Sequence, residues 1–178
     1  THPECYIRSR ALQLWSTGAA DADAQTEQLI RGPLVLSDLD LLGRRHVAQL
    51  TRRLISAMLW PGWMRSDGVL SHARLYFEDL AVPDDQLASD LQAEDKHLRE
   101  YYSYVLLDFV TVDRDLDEAP LAMALQLADS LNLADSFVPL ATKELGLRKK
   151  QMQQISKGAE KILRDAERQF AQQVESEG

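Results

Sequence analysis

Four histidines, one cysteine and a run of alternating aspartates are the residues of this 178-residue chain whose types are suited to chemistry. A zinc peptidase needs two histidines one helical turn apart with a glutamate between them, so that both imidazoles reach one metal and the carboxylate activates water. His2, His46, His72 and His97 are too scattered for that. Glu94 and His97 stand at the Glu-x-x-His spacing of di-iron bundles, but such a site needs a second copy and two further inward glutamates, and the pair is read as solvated. Cys5 has Arg8 one turn on, which favours a thiolate, yet a single cysteine near a helix start is read as a small apolar filler. Asp113, Asp115 and Asp117 alternate like the first ligands of an EF-hand loop, so a weak cation site is considered there. Glu118 occupies the place of the turn glycine and Ala124 that of the bidentate glutamate, which favours a capped corner between helices. No catalytic constellation is assigned, and no metal or cofactor is expected within the chain itself.

These residues are positioned by helices. Thr1, Pro3 and Glu4 suit a first turn, and Gly18 ends it. Ser37 with Asp38 and Asp40 marks a second start, with Leu50, Leu54 and Met58 at helical spacing up to Trp60-Pro61-Gly62. Ser66-Asp67-Gly68 opens a segment through Leu70, Leu75, Phe77 and Leu80. The clearest stripe is Leu98, Tyr101, Tyr102, Val105, Phe109 and Val112, which predicts a core helix. Asp108 lies on that helix and, if partly buried, needs a partner such as Arg114 or a tyrosine hydroxyl. Asp117 is the expected cap of the next helix, which carries Pro120 in its first turn and buries Leu121, Leu125, Ala128 and Leu131. A short helix from Asp135 ends at Gly146, and the last runs from Arg148 to about Gln173. No alternating run with hairpin turns is present. The expected fold is all-α, a bundle of six to eight helices. Residues 1–65 are read as a helical connector and 66–178 as the bundle.

Composition narrows the partners. With 20 basic and 28 acidic residues the net charge is −8, which disfavours nucleic acid. The single cysteine excludes an internal disulfide, and no stretch reaches the roughly 18 apolar residues of a membrane span. Charge is uneven along the chain. Between Asp79 and Glu118, 12 acidic residues face 3 basic ones. The last helix has an apolar seam of Met152, Ile155, Ala159, Ile162, Ala166 and Phe170, with Lys157, Lys161, Arg164 and Arg168 opposite. That basic face, together with Trp60 and Trp63 around a Pro-Gly corner, is the candidate contact for a protein partner or for anionic lipid at a membrane periphery. Oligomeric state is not specified by any of these features.

The opening Thr1-His2-Pro3, Arg8 and then Ala11-Leu12, without an initiator Met, resembles the segment downstream of the active site in HtpX-like zinc metallopeptidases, the CAAX-prenyl-protease relatives. The resemblance implies that the chain is the C-terminal, non-catalytic region of a larger bacterial peptidase. Zinc would then lie in the parent and His2 and Arg8 at the edge of its cleft. It also implies a cytoplasmic setting, with tethering to a membrane through the parent, and the catalytic domain as partner. A second resemblance, carried by residues 106–113, Leu116-Asp117-Glu118 and the stretch Leu121 to Leu131, is to TerB-type helical domains, with Arg114 in place of the usual glycine and Pro120 in place of an acidic residue. It implies a free-standing helical adaptor or stress-response module.

Overall fold

A computed structural model describes residues 12, 15 and 16, 41–81, 85–113 and 117–177. The chain divides into two compact units, Thr1–Arg45 and His46–Gly178. In the first, Leu12, Trp15 and Ser16 are helical, and the Leu12 and Trp15 side chains are exposed. From Leu41 onward seven α-helices follow: α1 Leu41–Met58, α2 Asp67–Ala73, α3 Leu87–Ala93, α4 Lys96–Val110, α5 Ala119–Ser130, α6 Ala134–Glu144 and α7 Lys149–Glu177. A 3-10 turn, Gly62–Met64, lies between α1 and α2. The described residues contain no strand, so the architecture is an all-α bundle.

The expected boundary near residue 65 falls inside the second unit. Val47, Leu50, Leu54, Ile55 and Met58 of α1 are buried, so this helix contributes to the core. Helix starts follow local chemistry. The Ser66 hydroxyl accepts from the Val69 N–H at the head of α2, and the Asp95 carboxylate accepts from the N–H groups of His97 and Leu98 at the head of α4. Two helix ends use left-handed residues. Asn132 (φ 57°) follows α5 and Gly146 (φ 63°) follows α6, each with a backbone bond closing over the last turn, Leu133 N–H to Ala128 C=O and Leu147 N–H to Thr142 C=O.

Two expectations need correcting. The segment opened at Ser66 is helical only to Ala73, and Leu75 is 78% exposed; His72 is drawn inward instead, toward α4. Asp117 does not cap α5: it holds a left-handed conformation (φ 49°), the cap position is Glu118, and no side chain closes the first turn. Pro120 in that turn gives up an N–H that has no helical partner anyway.

The core is built where helices α4 to α7 pack. Helix α5, dense in alanine, presents Ala122, Ala124 and Ala128 to its neighbours, which lets α7 approach closely along its length. Met152, Ile155 and Ala159 are the residues that α7 buries. Helix α4 contributes Tyr102, Val105, Leu106 and Phe109, and α6 contributes Phe137 and Ala141. Complete burial of such side chains stabilises by about 1.5–3 kcal/mol for each large one.

Candidate functional site

The seam of α7 outlasts the bundle that covers it. Its first members are buried, Ile162 and Ala166 are half-buried, and Phe170 and Val174 are 37% and 55% exposed. A helix of 29 residues is about 44 Å long, longer than the helices it packs on. Near its end the Phe170 ring rests on the 3-10 turn, so close to Gly62 that a Cβ there would lie 2.6 Å from Cε1. This explains the glycine of the Trp-Pro-Gly corner: only a residue without a side chain admits the ring. Trp60, two residues earlier, is 60% exposed. Its indole carries the Arg65 guanidinium 5.8 Å from the ring centroid, and Arg65 is fixed by donating to the carbonyls of Leu59 (2.7 Å) and Trp60 (3.0 Å). The corner is thus ordered and presents apolar surface.

The two indoles expected to act together are separated. Trp63 is only 6% exposed and lies in the core beside Met64, both within the 3-10 turn, whereas Trp60 precedes that turn. Trp63 is a packing residue and not a contact surface. Lys157, Lys161, Arg164 and Arg168 are all exposed, on the face of α7 away from the seam. Arg164 donates to the Glu160 carbonyl, and Arg168 lies 3.8 Å from Asp165, a surface pair of small energetic consequence.

The acidic corner is put to other use. Asp113 accepts from the Ser66 hydroxyl at 2.6 Å, tying the residue after α4 to the cap of α2. Asp117 is exposed, and Asp115 lies outside the described residues, as do His2, Arg8, Cys5 and Arg114. Among the described residues no group of three or more His, Cys, Asp or Glu is placed to hold a metal ion.

Asp108 joins two side chains from another part of the chain. One of its oxygens, Oδ2, lies 2.6 Å from His72 Nε2 and accepts from the Tyr76 hydroxyl at 2.7 Å. A tyrosine hydroxyl is among the partners that partial burial of Asp108 requires, whereas the histidine went unforeseen: it is 36 residues distant and on another helix. Phe109 closes the group, its ring 5.1 Å edge-on to His72 and 5.9 Å from Tyr76. Burial first, then the bond to Asp108 and its charge, raise the Tyr76 hydroxyl well above the ordinary tyrosine range. A histidine paired with a carboxylate is half of a general-base unit. Here the same oxygen also takes the phenol, and the arrangement clamps α2 and the turn after it onto α4.

Glu94 likewise turns away from His97. It meets His46 Nε2 at 2.6 Å, joining the end of α3 to α1, while Arg53 reaches Asp90 at 2.6 Å across the same pair of helices. The Glu-x-x-His spacing therefore brings no two ligands together. No helix among the described residues is long and apolar enough to cross a membrane. No protein family, curated protein or solved structure matches the chain.

Proposed function

We propose that the chain is a non-catalytic helical module that docks a protein partner on the corner formed by Trp60, Phe170 and Val174, with the basic face of α7 as a rim. The observation that carries this reading is the continuation of the α7 seam beyond the core. Apolar side chains at helical spacing that remain open to water are a recognised mark of a contact surface. A large exposed aromatic with a guanidinium over its ring is the kind of residue around which interfaces concentrate their energy. The net charge of −8 speaks against nucleic acid as the partner.

In the fuller form of the proposal the partner is the zinc metallopeptidase domain of the same polypeptide, and the module positions or regulates it. Support for that form is the Thr1-His2-Pro3 and Arg8 resemblance. The test has two steps. The open reading frame upstream of Thr1 is read for a His-Glu-x-x-His helix; without it the peptidase parentage falls, and the adaptor form, of the TerB-like kind, stands in its place. With it, the upstream domain is produced separately and its binding to this chain measured by calorimetry. Trp60→Asp and Phe170→Asp, both at exposed positions, should abolish binding without changing the circular dichroism. Binding that is absent in the wild type, or unaffected by both variants, overturns the docking surface.

A further inference from the structure

Helix α7 has a second face, turned away from the buried Met152, Ile155 and Ala159. At about 100° per residue, Lys150, Lys157, Lys161, Arg164 and Arg168 fall within roughly 60° of one another on that face. All five are exposed. Together they make a straight basic ridge about 27 Å long. Within that span the acidic residues stand off the ridge, Glu160 and Glu167 along one flank and Asp165 along the other. Arg168 leans toward Asp165 at 3.8 Å, an exposed contact too weak to withdraw the cation.

Beside the ridge, α5, α6 and α7 leave a cleft of about 240 Å³. Leu125, Val138 and Met152 give it an apolar interior, and the exposed Gln153, Ser156 and Lys157 edge it. Its volume is below the range of whole small-molecule sites and suits one side chain of a larger partner. Lys157 belongs to both features, so a segment laid along the ridge passes the mouth of the cleft.

The charge pattern discriminates among anionic partners. A flat anionic bilayer or a nucleic-acid backbone brings negative charge against the flanks as well as the ridge, where it meets Glu160, Glu167 and Asp165. A helix touches along a narrow line. Acidic side chains three and four residues apart would meet the cations, which recur at those same steps from Lys157 to Arg168, and one apolar side chain beside them would enter the cleft.

We infer that this face of α7 docks an amphipathic helix of a partner protein, its stripe of Asp or Glu along the ridge from Lys157 to Arg168 and one apolar residue anchored in the cleft at Leu125, Val138 and Met152. The inference rests on the docking reading, in which this face is the rim of the contact, and supplies the chemistry of the partner. None of its residues belongs to the corner of Trp60, Phe170 and Val174.

The probe is an alanine-based helical peptide of about 20 residues, long enough to span the ridge, with glutamates at three- and four-residue steps on one face and a leucine beside them. Its binding to the whole chain is followed by NMR titration at low salt, and a dissociation constant on the order of 1 mM or tighter is expected. A peptide of the same composition with the glutamates spread around the helix should bind roughly tenfold more weakly. Lys157→Glu combined with Lys161→Glu, both at exposed positions, should lower the affinity about tenfold or more, and a peptide with lysines opposite those two sites should regain it. Ser156→Trp, which fills the mouth of the cleft, should weaken binding of the leucine peptide and leave that of its alanine counterpart unchanged. No binding of the patterned peptide, or equal binding of the scrambled one, overturns the strip. Tighter binding of equimolar phosphatidylserine and phosphatidylcholine vesicles overturns a helix as the occupant, and indifference to Ser156→Trp overturns the anchor. Trp60→Asp and Phe170→Asp should leave the peptide's affinity unchanged, so failure of the corner and failure of the strip are read separately; a drop with either would place the peptide on the corner and overturn the strip.

Discussion

Replacing Gly62 by alanine is a small change with a calculable outcome. The new Cβ would stand 2.6 Å from Cε1 and 3.1 Å from Cζ of Phe170. Carbon atoms in contact prefer about 3.5–4.0 Å, so the ring must retreat by about 1 Å or more. It is the free end of a side chain, so it swings out and the cost is the burial it forfeits. Phe170 is 37% exposed, and giving up the covered remainder costs about 1–2 kcal/mol. Phe170→Ala alone should cost about as much, because it removes the same contact. The two losses cannot both be incurred. Once Phe170 is alanine the glycine has nothing to accommodate, and since Gly62 has no positive φ, alanine there should stabilise by about 0.4–1 kcal/mol through the unfolded chain. The same substitution thus changes sign with its background. Urea denaturation of the four proteins, followed by tryptophan fluorescence, provides the cycle, with Trp60 and Trp63 flanking the site as reporters. Costs that add to within about 0.5 kcal/mol would refute the contact and, with it, the seating of α7 on the corner.

Two further changes probe the polar interior. Asp108→Ala leaves the His72 ring and the Tyr76 hydroxyl without their shared acceptor and should destabilise by about 1–3 kcal/mol; a loss below about 0.5 kcal/mol in denaturant would show that the clamp contributes little. Tyr102 is fully buried, and its hydroxyl has no partner among the described residues. Burial, then the charges around Glu94, Tyr101 and Asp95, raise its ionisation above the ordinary range. The folded chain therefore holds a proton that the unfolded chain releases above pH about 10, so stability is intact below that pH and falls as pH rises further, by about 1.4 kcal/mol per unit for this one group. Tyr102→Phe should flatten that alkaline slope and be neutral or slightly stabilising near pH 7; a loss of more than about 1 kcal/mol at neutral pH would mean that the hydroxyl is satisfied after all.

The helical class was readable because its signals are local. Of the stripe from Leu98 to Phe109, Tyr102, Val105 and Phe109 are buried in α4 and Leu98 and Tyr101 half-buried, and Leu121, Leu125, Ala128 and Leu131 are buried in and just after α5. Gly146 ends α6 for the reason a glycine usually does, a positive φ. Local pattern failed where burial was decided from a distance. Leu75 and Phe77 extend the apolar spacing of α2, but the chain leaves the helix at Ala73 so that Tyr76 can reach Asp108. Trp60 and Trp63 are alike in the sequence, but Trp63 belongs to the 3-10 turn and is buried, while Trp60 lies before it and is exposed. The polar contacts join residues 36 and 48 positions apart, His72 to Asp108 and His46 to Glu94, and no spacing rule finds them. Of the candidate contact residues, exposure was legible on α7, where the seam and the basic face alternate with helical period.

The length of α7 turns it into a lever. It is gripped at its base by Met152, Ile155 and Ala159, and the residues from Glu160 to Glu177 reach about 27 Å further. Over that arm a tilt of about 10° at the fulcrum carries the tip about 5 Å, enough to engage or release whatever rests there. The Phe170 ring on Gly62 is a contact that restrains the arm near its far end. A glycine in a surface corner thereby sets how closely the far part of the longest helix is held to the bundle.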